Sequence, residues 1–192
     1  MKPKLLFPIA SGLLVAIAVF ALACGDDDET DTGGGGATDA ANGAGGSSLA
    51  TYMTEVDEIQ DGVTDATDAI GARSEQSFGD PDRARSALSA AVDVGESAVA
   101  SLQDLSPPDE AQAAHDELIA AGENLVEAVQ GYADSLTGVE PGPEFDEITA
   151  EAESPDSELS RAIERMRQAC QEMVDLAAAN DLTLDLSCPE EP

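Results

Sequence analysis

Tryptophan is absent from this chain of 192 residues, which holds only two tyrosines, four phenylalanines and one histidine. So few aromatics, with β-branched residues that do not alternate in runs, leave almost no material for strands. Positive charge is nearly as scarce. Forty acids stand against eight basic residues, a net charge of −32. A surface of that sign repels phosphate backbones and anionic headgroups, so no nucleic acid partner is expected. Familiar catalytic signatures are missing too: there is no nucleophile elbow, no phosphate loop and no H-E-x-x-H. Scattered Asp and Glu single out no pair, and the expectation is a domain without chemistry of its own.

What is present begins with an address. Lys2 and Lys4 precede an apolar run from Leu5 to Ala23, which ends at Cys24 and turns acidic from Asp26. A cationic start, an apolar stretch and small residues before a cut site mark a secretory signal. The alternative is an uncleaved membrane helix, since the run approaches the roughly 18–20 residues that span a bilayer. Ala23-Cys24 at the end of this segment resembles the lipobox of bacterial lipoproteins, although Ala21 stands where that family usually has Leu. The resemblance implies a diacylated Cys24 as the new N-terminus, with residues 1–23 removed and the chain held on the extracytoplasmic side of the cell membrane. Ala21-Leu22-Ala23 also fits an ordinary signal-peptidase site, which would release the chain instead. Acylation of Cys24 leaves Cys170 and Cys188 as a pair.

Without its leader the chain keeps six arginines and no lysine against 40 acids, a net charge of −34. Such acidity keeps an exported domain soluble and is compatible with cationic partners. Residues 24–47 form a linker. Past Cys24 it has eight glycines, six acids and no large apolar residue, so it buries too little surface to offset its ordering entropy. A Gly-rich coil of this length spans on the order of 25 Å.

From Ser48 to the C-terminus the pattern is helical. Leu49, Tyr52, Val56, Ile59, Val63, Ala66 and Ile70 alternate spacings of three and four, a heptad seam. Asp80-Pro81 is a cap followed by proline at the first helical position, a start signal. Ala84, Leu88, Ala91, Gly95, Ala98, Leu102 and Leu105 make a second seam, whose small middle residues let a neighbouring backbone approach. Ser106-Pro107-Pro108-Asp109 closes that helix and resembles a capping box for the next. The third seam runs through Ala111, Ala114, Leu118, Ala121, Leu125, Ala128, Tyr132 and Leu136. After a break at Pro141-Gly142-Pro143 and an acidic stretch, Ser154-Pro155-Asp156 predicts the last start. Leu159, Ile163, Met166, Cys170, Met173 and Ala177 then form a fourth seam. The expected fold is all-α, an up-down-up-down four-helix bundle over residues 48–192, and its layout resembles exported helical-bundle lipoproteins of bacteria.

Few side chains stand out as sites. Cys170 and Cys188 lie 18 residues apart, and outside the cytoplasm such a pair is expected to be a disulfide that pins the tail. His115, followed by Asp116 and Glu117, is the weak metal candidate. The residue three before it is Gln112, where a di-iron bundle needs Glu, and C-x-x-C-H is absent. A b-type haem held by His115 and Met53, Met166 or Met173 is the alternative reading, while a satisfied histidine at the core boundary is the plain one. Arg161 and Arg165 share a helix face as an anion or partner contact would require, though Glu158 and Glu164 stand near to neutralise them. The sequence therefore points to a membrane-anchored, non-catalytic binding or interaction module without a cofactor. Its partner would be a protein, an envelope component or a small molecule, met on an outer face or in the segment from Gly138 to Glu153.

Overall fold

The computed structural model describes residues 48–74, 79–182 and 188, with the backbone alone for 72–74. The leader, Cys24, the linker and most of the tail lie outside the described residues. Those described form five helices and no strand: α1 (Leu49–Ser74), α2 (Pro81–Asp104), α3 (Gln112–Ser135), α4 (Pro143–Ala152) and α5 (Glu158–Ala179). None is long and apolar enough to cross a membrane.

Local chemistry sets the ends. Ser48 Oγ accepts from the Thr51 amide at the start of α1, and Asp80 accepts from the Arg83 amide ahead of Pro81 in α2. These bonds satisfy donors that a helix start otherwise leaves open. Two expected starts move. The capping box at Ser106 and Asp109 does not open α3, which begins at Gln112 after the Ala111 amide closes a turn on the Pro108 carbonyl. A residue before proline is driven out of the α region, so Pro107 ahead of Pro108 delays the helix. Likewise α5 starts at Glu158 rather than at Pro155, with Ser157 Oγ accepting from the Ser160 amide at 2.9 Å. The Ser157 hydroxyl also donates to the Ala152 carbonyl, tying α4 to α5. The C-terminus of α5 closes with paired bonds from Asp181 to Ala178 and from Leu182 to Ala177, Asp181 taking φ 56°. That is a Schellman arrangement, and Leu182 folds back onto the core beside Ala177.

The expected up-down-up-down course is visible in the core, which has two halves. One gathers Ile70 from the end of α1, Leu88 from the start of α2, Val129 to Leu136 from the end of α3 and Leu159 from the start of α5. The other gathers Leu49 to Val56, Leu102, Ala111 to Ala121 and Ala169 to Ala177, the opposite ends of the same helices. Neighbouring helices therefore run antiparallel. Backbones approach closely from α1 to α2, α2 to α3 and α3 to α5, and α4 rests on α5. The α1–α5 seam has no comparably close approach. The segment after Gly138 holds the ten-residue α4, whose Phe145 is buried in the first half of the core.

Candidate functional site

Between the two halves the core does not close. A cleft of about 110 Å³ lies where all four long helices meet, lined by Val56, Ile59 and Val63 of α1, Gly95 to Leu102 of α2, Leu118 to Val126 of α3, and Met166 and Cys170 of α5. Gln60 is the one side chain with a polar amide on its wall. Several local causes open it. An α-helix repeats every 3.6 residues, so a heptad seam drifts by about 20° per repeat on a straight helix. On α1 the stripe has turned by the third repeat: Ile59, Val63 and Ala66 are half-buried, and Thr67 takes the interior place expected of Ala66. Thr67 stays satisfied there by donating to the Val63 and Thr64 carbonyls.

The α2–α3 wall is drawn tight by glycine. A Cβ on Gly95 would stand 2.7 Å from Val126 Cγ2, and one on Gly122 would stand 2.8 Å from Val99 Cγ2. Each glycine thus seats a valine of the opposite helix. Gly95, Ala98 and Gly122 send no large side chain across the middle toward α1 and α5, although Leu102, Leu118 and Leu125 line the same cleft. On sequence alone the small middle residues of the second seam are expected to admit a neighbouring backbone, and Gly95 does so; Gly122, which thins the facing helix, is not among the seam residues.

The sites read from the sequence fall elsewhere. His115 is inside the core rather than at its boundary, 4% exposed, because the buried stripe of α3 also takes in Gly122, Val129 and Ala133. Its Nδ1 lies 3.0 Å from the hydroxyl of the fully buried Tyr52, which joins α3 to α1. The rings meet edge to face with centroids 5.7 Å apart. Burial pushes the imidazole pKa down, against an opposing pull from Asp116. Burial, reinforced by Asp116, pushes the Tyr52 phenol far above its ordinary range, so the hydroxyl keeps its proton. A metal or haem iron at Nδ1 would have to displace this bond. Among the described residues no three His, Cys, Asp or Glu side chains converge on a point. Met53 and Met173 are buried in the half of the core that also holds Tyr52, and Met166 touches both halves.

Cys170 and Cys188 are joined as a disulfide with Cα atoms 5.5 Å apart, pinning the tail beside α5. Arg161 and Arg165 are exposed and border a shallow surface depression with Asn124, Glu127 and Glu158. Arg161 Nε donates to the Ser157 carbonyl, and Arg165 stands 3.8 Å from Glu117 of α3 rather than meeting Glu158 or Glu164. Glu164 instead takes both Arg167 nitrogens, which hold its carboxyl below the usual range. Exposed pairs of this kind are worth under about 1 kcal/mol. No protein family model matches the chain, and no curated protein or solved structure matches it either.

Proposed function

We propose that the chain is a lipid-anchored extracytoplasmic protein whose helical domain is a non-catalytic binding module, taking a slim apolar ligand into the cleft between the halves of its core. The leader, Cys24 and the linker supply the anchor and the reach. The observation that carries the binding reading is the cleft, because close-packed interiors leave few voids larger than a water molecule. At about 110 Å³ it is smaller than the ~150 Å³ cavities known to admit benzene. It also runs along α1 from Val56 to Val63, about 10 Å at 1.5 Å per residue. That shape favours a linear chain over a ring. No wall residue combines an acid, a base and a nucleophile, so the reading is storage, sensing or transfer rather than turnover.

The test is titration of residues 25–192 with 1-hexanol, followed by methyl NMR. Shifts confined to Val56, Val63, Val99, Val126 and Met166 are expected, and Ala98→Leu, which fills the cleft, should abolish them. Unmoved methyls in the wild type, or equal shifts in Ala98→Leu, would overturn the reading.

A further inference from the structure

Gln60 interrupts an otherwise apolar wall. It stands four residues after Val56 and three before Val63, so it shares their face of α1 and borders the cleft with them. Its neighbour Ile59 also borders an outer groove along the α1–α2 seam and Gln60 does not, which puts the amide on the edge of the wall away from α2. The residue is half-buried, so the amide stands where the wall meets solvent. Apart from Cys170, whose sulfur is held in the disulfide, no side chain on the wall can ionise. The wall offers a hydrogen-bonding amide and no countercharge.

A primary amide carries two N–H donors and a carbonyl with two lone pairs, more capacity than one partner uses. A purely aliphatic ligand seated against it would take water from those groups and return no hydrogen bond, which weakens binding. A charged head would leave water for a wall that cannot neutralise it, and that costs more. A neutral head that both donates and accepts meets neither penalty. We infer that Gln60 selects the ligand's class: a linear aliphatic chain ending in a neutral hydrogen-bonding head, a hydroxyl or a carboxamide, seated against the Gln60 amide. This rests on the cleft reading above and adds the head. Burial of the tail contributes about fourfold in affinity per methylene whatever the head, so ligands of one chain length differ through what meets Gln60.

The experiment compares 1-hexanol, 1-chlorohexane, hexylammonium and hexanoate on residues 25–192, all below their micellar range, by the same methyl shifts. Sodium chloride at 1 M shortens the Debye length to about 3 Å and takes the general field of the acidic chain out of the comparison. In the wild type 1-hexanol should bind at least about fivefold tighter than either ion. Gln60→Met keeps the length of the side chain and removes the amide. It should weaken 1-hexanol about fivefold, the worth of one net hydrogen bond, and leave 1-chlorohexane unweakened. Gln60→Glu, of the same shape, is the second arm: it should strengthen hexylammonium and weaken hexanoate relative to the wild type. If Gln60→Met weakens the two neutral ligands alike or neither of them, if either ion matches 1-hexanol in the wild type, or if Gln60→Glu leaves both ions unmoved, the head inference fails and the cleft reading stands. If no ligand moves the cleft methyls, both fail.

Discussion

Gly95→Ala tests whether the glycines are what bring α2 and α3 together. An alanine here gains helix propensity worth about 1 kcal/mol over glycine. Its Cβ, however, would sit 2.7 Å from Val126 Cγ2. Valine is stiff at χ1, so it cannot swing aside cheaply and the helices must part. Overpacking of this kind costs about 1–3 kcal/mol. The net effect of Gly95→Ala should therefore be a loss of up to about 2 kcal/mol, or a fall of several degrees in Tm for a domain of this size. In a Val126→Ala background the obstructing methyl is gone, and adding Gly95→Ala should then stabilise by up to about 1 kcal/mol. The sign reverses, with a coupling of about 2 kcal/mol between the two sites. Gly131 supplies the control: it is also in a helix interior, but nothing lies within 4 Å of its missing Cβ. Gly131→Ala should stabilise by about 1 kcal/mol. The measurement is urea unfolding of the single variants and the Gly95/Val126 double, followed by far-UV circular dichroism. Additive effects in the cycle, or a Gly95→Ala protein as stabilised as Gly131→Ala, would refute the reasoning.

Three further outcomes follow from the same structure. The imidazole pKa of His115 is lowered by burial, so as pH falls the unfolded chain takes the proton first, near 6.5. Stability should be full above that value and decline as pH falls below it, and the difference between wild type and His115→Gln, measured by unfolding at pH 7.5 and 5.0, should show the decline in the wild type only. A wild type that gains on the variant toward pH 5.0 would reverse the sign of the argument. The disulfide closes a sequence separation of 18 residues, which in the loop-entropy model stabilises by about 3 kcal/mol. Cys170→Ala with Cys188→Ala should lower Tm by roughly 10 °C, as should reductant on the wild type, and a Tm unmoved by either would count against it. Cys24→Ser should lose incorporation of a fatty-acid probe and leave the membrane fraction; a variant still fully membrane-bound would point to an uncleaved helix.

Much of the architecture was legible because it is local. Asp80-Pro81 reads as a helix start since one side chain and one fixed φ satisfy the requirement within four residues. The seams of α1, α2 and α5 read as helical because period alone places a face, and the expectation of an acylated Cys24 left Cys170 and Cys188 as each other's partner. The delayed start of α3 was not legible in that way. It depends on two successive prolines overriding a cap that is otherwise adequate.

The sequence by itself determined the helices, their antiparallel order through short connections, and the acidity of the chain. Only the tertiary structure decided which residues on each stripe face one another. It turned α3 so that His115 enters the core to meet Tyr52, and it set Gly95 against Val126 and Gly122 against Val99. It also left Ile59 and Val63 half-covered on the wall of the cleft. A cleft is a relation among four helices, and a periodic pattern names the inward face of each without saying how far the opposite side chains reach.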